Sequence, residues 1–184
     1  MKPMIKTALI ILIIGLILIS CKKESDNNTQ LTIDGQLINH SECKSGLKSA
    51  AQTLEIPDSL SCVEYFFDNE TNKLTLKHIN AGFNCCPDSL YCIIELKEDT
   101  IQIQEFEKTT GCHCDCLYDL NIEIDGVIKN VYKIQFLEPY VAEQAILLFE
   151  IDLNECSQGS YCVTRKIYPW GVSSLIDLDY MHYQ

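Results

Sequence analysis

The sequence predicts an all-β domain, an antiparallel β-sandwich of immunoglobulin-like or similar kind, rich in disulfides. Three observations carry this. Apolar and polar residues alternate in several short runs, the period of a strand with one buried face. Turn-forming residues interrupt those runs at short intervals. Eleven cysteines occur in 184 residues, a density typical of bridged exported domains.

Alternation is clearest in Leu74-x-Leu76, Ile101-x-Ile103, Tyr118-x-Leu120-x-Ile122-x-Ile124 and Tyr132-x-Ile134-x-Phe136. Runs at 62–67, 90–97, 145–153 and 161–168 are more continuously apolar, as in strands buried on both sides. Asp68-Asn69, Gly82, Glu98-Asp99, Asp125-Gly126, Lys129-Asn130, Glu138-Pro139 and Gln158-Gly159 punctuate them. Eight or so short strands at this spacing suit a sandwich or barrel. Residues 41–55 differ, being small and polar with Leu47, Ala50, Ala51 and Leu54 at helical spacing. They predict a loop with one short helix near 44–54. Pro-Asp-Ser-Leu-x-Cys occurs at 57–62 and again at 87–92, each copy before an apolar run. Two copies are too few for a solenoid and read as similar turns feeding strands.

The first twenty-one residues have three parts. Lys2 and Lys6 form a positive start, Ala8 to Ile19 is apolar apart from Gly15, and Leu18-Ile19-Ser20-Cys21 follows. A spanning helix needs ~20 apolar residues; this run is shorter and has the length of a signal-peptide core. The small residue before Cys21 resembles the bacterial lipobox, which implies lipidation of Cys21 as the first mature residue. One acyl chain holds a protein marginally and several hold it stably. Lys22 to Gln30 is polar and without periodicity, a flexible tether. The reading is residues 1–20 a lipoprotein signal peptide, 21–30 a tether, and 31–184 a single β domain. Lys22-Lys23-Glu24 resembles the start of Bacteroidota lipoproteins, which implies an outer-membrane lipoprotein of the cell envelope, periplasmic or surface-exposed.

The balance of 47% apolar and 22% charged residues is that of a globular chain. Net charge is −12, and removing residues 1–20 takes away two lysines and no acid, leaving −14. No nucleic-acid partner is expected, because that affinity rests on neutralising phosphates. The membrane is expected to be met through the lipid anchor, since anionic lipid repels such a chain. A protein or glycan partner would be met by the loops of the sandwich.

Besides Cys21, ten cysteines remain: Cys43, Cys62, Cys85, Cys86, Cys92, Cys112, Cys114, Cys116, Cys156 and Cys162. An even number in an exported chain makes all ten disulfide candidates. Cys156 and Cys162 flank a turn and can pair locally. Cys43 and Cys62 can pair with each other. The other six leave fifteen connectivities, with the neighbours Cys85 and Cys86 going to different partners. No Cys-x-x-Cys occurs, which removes the thioredoxin-like signature and the commonest zinc knuckle.

Cys112-His113-Cys114-Asp115-Cys116 has the look of a metal motif. Cys112, Cys114 and Cys116 share the parity of Tyr118 to Ile124, so a strand extended back would turn all three sulfurs inward, away from His113 and Asp115. Cys92 shares the parity of Ile94 and Leu96. A buried disulfide cluster is the simplest account, with no cofactor or metal assigned. Two ionisable residues break the apolar pattern: His78 falls on the parity of Leu74 and Leu76, and Glu105 on that of Ile101 and Ile103. They can meet in one polar pocket near Cys85 and Cys86, or sit satisfied in the core or at strand ends. Catalytic motifs such as Gly-x-Ser-x-Gly and His-Glu-x-x-His are missing, so no catalytic residue is assigned. Asp177 and Asp179 read as a solvated strand face. Trp170 reads as a packing residue or a ligand-stacking aromatic.

Asp58-Ser59-Leu60, Asp88-Ser89-Leu90 and Asp99-Thr100-Ile101 resemble the Bacteroidota O-glycosylation sequence, which makes Ser59, Ser89 and Thr100 candidate acceptors. His78-x-Asn80-Ala81-Gly82-Phe83-Asn84-Cys85-Cys86-Pro87, with Glu105 and Cys112-x-Cys114-x-Cys116-Leu117-Tyr118-Asp119, resembles a group of uncharacterised Bacteroidota lipoproteins. The likeness spans residues 78–119, about a quarter of the chain. It implies the compartment and fold class and carries no known activity. Two functions are expected in competition. One is an envelope lipoprotein with a non-catalytic binding or structural sandwich. The other is metal or redox handling through His78, Glu105 and the cysteines of 85–116.

Overall fold

The computed structural model describes residues 31–44, 56–110, 112 and 114–170. Cys21, the tether, the body of the expected helix near 44–54, His113, Asp177 and Asp179 lie outside the described residues. Within them the chain forms nine strands and no helix: β1 (Asp34–His40), β2 (Leu60–Asp68), β3 (Lys73–Asn84), β4 (Ser89–Lys97), β5 (Thr100–Lys108), β6 (Asp115–Asp125), β7 (Val131–Leu137), β8 (Leu148–Asp152) and β9 (Gln158–Thr164). They make a five-stranded sheet of order β1-β6-β3-β2-β9 and a four-stranded sheet of order β4-β5-β7-β8. The two sheets face each other as a disulfide-rich β-sandwich.

Alternation decides which face is buried. Leu74 and Leu76 of β3, Ile122 and Ile124 of β6, Ile101 and Ile103 of β5, and Ile134 and Phe136 of β7 are almost wholly excluded from solvent and meet in one core. Each such side chain stabilises the fold by ~1.5–3 kcal/mol relative to exposure. A smaller cluster of Ala81, Phe83, Leu90, Cys116, Tyr118 and Leu120 fills one end. β1 is a strand that periodicity missed, because none of its residues is fully buried and one of its two half-buried positions is Gly35; its backbone pairs with β6.

The turns follow local chemistry. Asp68 accepts from the Glu70 amide and the Thr71 hydroxyl, and Asn72 takes a positive φ of 55° before β3. Glu98, at φ 58°, closes the β4–β5 hairpin. Gly126 has φ 80°, and any Cβ there would collide with the Thr32 carbonyl.

One sheet is mixed rather than antiparallel throughout, because β5 and β7 run parallel. The reason is topological. Between them the chain makes one pass through the other sheet as β6, and a single antiparallel excursion restores the original direction.

The disulfides differ from the local pairings expected. Cys43 is bridged to Cys116, and Cys62 to Cys162, which stands directly opposite it on β9. Among the described residues Cys156 pairs with neither Cys162 nor any other cysteine, and Cys92 is also unbridged. Strand register outweighs sequence proximity here: Cys162 is already opposite Cys62, with Cα atoms 4.0 Å apart. The strand does not extend back through Cys112 and Cys114 either. β6 begins at Asp115, and only Cys116 turns inward with the core.

Candidate functional site

Two sites stand out, one buried and one at the surface. The buried site is built by strand parity. Ser61 comes from β2, His78 from β3 and Glu105 from β5; Glu138 directly follows β7 and Arg165 directly follows β9. The His78 and Glu105 side chains are both fully buried and lie against each other. Cys85 and Cys86, expected near this pocket, gather elsewhere with Cys112 and Cys114.

His78 Nδ1 is 2.7 Å from Glu105 Oε1, and its Nε2 is 2.9 Å from Ser61 Oγ. Nε2 also lies 3.8 Å from Glu138 Oε1. Arg165 Nη2 reaches Glu138 Oε2 at 2.5 Å, and its Nη1 donates to the Ala145 carbonyl. With His78 protonated, two cations face two carboxylates and the group is neutral. Burial opposes charge on His78, but Glu105 and Glu138 outweigh it and raise the pKa above the usual 6.5. Burial raises the Glu138 pKa as well, with Glu105 adding to it and His78 and Arg165 opposing. Glu105 Oε2 and Glu138 Oε1 have no hydrogen-bond partner.

Ser61, His78 and Glu105 reproduce the hydrogen-bond order of a nucleophile, base and orienting acid. The chemistry does not follow from the order. Ser61 has 0% exposure, so no substrate carbonyl reaches its Oγ. Both ring nitrogens of His78 are taken up, by Glu105 and Ser61, so the imidazole offers no free edge to a substrate proton. Ligand atoms of His78, Glu105 and Glu138 lie within 4.8 Å of one another, yet Arg165 already supplies the positive charge opposite Glu138. The arrangement ties β2, β3 and β5 to the segments after β7 and β9. Cys92, beside it, is pushed to a high pKa by burial and by Glu105, so its thiol stays protonated and unreactive.

Sequence reasoning missed Ser61, Glu138 and Arg165. A signal existed for one of them. Arg165 is the chain's only arginine among thirteen lysines, and arginine suits a buried, forked ion pair better than lysine does.

The surface site is the cysteine cluster. Cys85 and Cys86 follow β3, and Cys112 and Cys114 precede β6, so pairing of these strands delivers four sulfurs to one end of the sheet. All four lie within 4.8 Å of one another. Cys85 is set against Cys114 and Cys86 against Cys112, with Cα separations of 5.5 and 6.3 Å, within reach of a bridge. The buried Asn84 organises the group. Its Oδ1 accepts from the Cys86 amide and its Nδ2 donates to the Cys112 carbonyl. The Cys85 amide donates to the Cys114 carbonyl.

Between the sites lies a β-bulge at Asn80, with φ 62° and a register shift between His78 and Ala81. The Asn80 side chain donates to the Pro57 and Leu60 carbonyls. Its own carbonyl accepts from Trp170 Nε1 at 2.6 Å. Trp170 is fully buried, lies on Gly82 and carries Arg165 over its ring at 5.2 Å. It is a packing residue here, with no face open to a ligand.

Ser89 and Thr100 are the first residues of β4 and β5, and Ser59 precedes β2 by one residue. Ser89 is exposed, while Ser59 and Thr100 are half-buried. No protein-family model, no curated protein and no solved structure matches the chain.

Proposed function

We propose that the chain is a lipid-anchored envelope protein whose β-sandwich is a non-catalytic binding or structural module. The observation that carries the non-catalytic part is the burial of Ser61, His78 and Glu105, whose polar groups are engaged with one another and closed to substrate. The two long-range bridges, Cys43–Cys116 and Cys62–Cys162, support an oxidising compartment. The lipid anchor rests on Lys2, Lys6, the apolar run and Ser20-Cys21. On this reading any partner, protein or glycan, meets loops at the ends of the sandwich, and Ser59, Ser89 and Thr100 carry O-glycans in the native envelope.

The test is metabolic labelling with an alkynyl palmitate in expressing bacteria. Label in the membrane fraction that disappears in Cys21→Ala supports the anchor. An unlabelled wild-type chain in the soluble fraction would refute it. The metal- or redox-handling alternative loses His78 and Glu105 to the buried ion group and narrows to the cysteine cluster.

A further inference from the structure

We propose that Cys85, Cys86, Cys112 and Cys114 form a four-thiolate site for one soft cation, zinc(II) or copper(I). This goes beyond the binding or structural role above and holds whether or not Cys21 is lipidated.

The two facing pairs, Cys85 with Cys114 and Cys86 with Cys112, are gathered into one knot of four sulfurs. Each Sγ lies within 4.8 Å of the other three. Cys85 Sγ and Cys112 Sγ, which belong to different facing pairs, are 3.6 Å apart. A tetrahedron with metal–sulfur bonds of about 2.3 Å has edges of about 3.8 Å. A single ion at the centre would bind all four once the reduced sulfurs of each facing pair turn apart to that spacing.

The frame around the sulfurs is built independently of how they are bonded. The Asn84 side chain accepts from the Cys86 backbone N–H at Oδ1 and donates from Nδ2 to the Cys112 carbonyl, so one fixed side chain holds both cysteine segments. The Asn84 backbone N–H donates to Glu107 Oε2 at 2.7 Å. The Cys85–Cys114 backbone hydrogen bond fixes the spacing of the two segments. Support of this kind behind the ligating atoms is what metal sites need.

Access and charge fit as well. Cys86 and Cys114 are exposed while Cys85 and Cys112 are half-buried, so the site is open on one side and anchored on the other. Asp115 directly follows Cys114, and Glu107 accepts from the backbone N–H of Asn84, which directly precedes Cys85. Their carboxylates favour a cation over an anion. Binding displaces up to four thiol protons to solvent and needs no oxidant or reductant.

The experiment uses the full mature chain isolated from the envelope of expressing cells without chelator or added reductant. Elemental analysis is expected to find about one zinc or copper per chain, the element itself distinguishing the two ions. The four thiols should resist alkylation until the metal is stripped. Titration of stripped protein with cobalt(II) should saturate at one equivalent, with thiolate charge-transfer absorption and the red-region bands of a tetrahedral site. Cys86→Ser and Cys112→Ser should each abolish those bands, while Cys156→Ser should keep them. Circular dichroism of each variant confirms that it folds. Peptide mapping that finds Cys85–Cys114 and Cys86–Cys112 bridged in the metal-free envelope protein would overturn the proposal. Folded Cys86→Ser protein that binds cobalt as wild type does would overturn it too.

Discussion

Removing the Cys62–Cys162 bridge by Cys62→Ala with Cys162→Ala is expected to cost the domain about 4 kcal/mol. The bridge closes 100 residues, for which chain entropy predicts ~4.7 kcal/mol. That figure counts the unfolded chain as otherwise open, and it is not. Cys43–Cys116 is also closed, so the shortest covalent route from Cys62 runs back to Cys43, across that bridge to Cys116 and on to Cys162. This route is about 65 residues, which lowers the figure only to ~4.3 kcal/mol because closure entropy varies with the logarithm of length. Cys162 is exposed and Cys62 buried, so the Cys62 change adds only a small packing loss. At ~2–4 °C per kcal/mol for a domain of this size, Tm should fall by ~8–16 °C. The assay is thermal unfolding of the mature chain without reductant, with Cys156→Ala as the control expected to stay within ~1 °C, since Cys156 is exposed and unbridged. A double variant that melts within ~3 °C of wild type would show that the bridge does not act by restricting the unfolded chain.

The buried ion group makes stability depend on pH. The His78 pKa is raised in the fold from 6.5, so its contribution is complete below about pH 6.5 and is lost as pH climbs through the folded value. Glu138, raised from 4.5, acts with the same sign from lower pH. Urea midpoints should decline from pH 6 to pH 9, and a flat or rising profile would contradict the protonated imidazole. Arg165→Met leaves Glu138 buried beside Glu105 without its counter-charge and should destabilise by ~3–5 kcal/mol; adding Glu138→Gln should recover part of that loss. Equal stability of Arg165→Met and wild type in denaturant melts would rule out the pairing as a support of the fold. Gly82→Ala sets a methyl into the Trp170 ring and should cost ~1–3 kcal/mol, with a red shift in Trp170 fluorescence; unchanged emission and Tm would place the indole elsewhere.

Much of this architecture is written in local pattern. Period-two alternation located β3, β5, β6 and β7 because each has one face in the core and one outside it. The same parity turned His78 and Glu105 inward, since a strand that buries Leu74 and Leu76 must bury the next residue of that face. Pattern failed where the inward face carries few large apolar residues or where the chain leaves the sheet. β1 exists through backbone pairing with β6, and Cys112 and Cys114 leave the sheet although their parity fits it.

What belongs to the sequence alone is the lipobox-like start, the charge, the strand-forming periods and the count of cysteines available for bridging. Which sulfur meets which, and which charges neutralise His78, belonged to the tertiary structure. Cys62 finds Cys162, and Cys43 finds Cys116, through neighbouring strands of one sheet, although they are 100 and 73 residues apart in the chain. Glu138 and Arg165 reach His78 only because β7 and β9 end at the same place in space. Periodicity reports the direction in which a side chain points; it carries no information about what stands opposite, since that depends on the order in which strands pack.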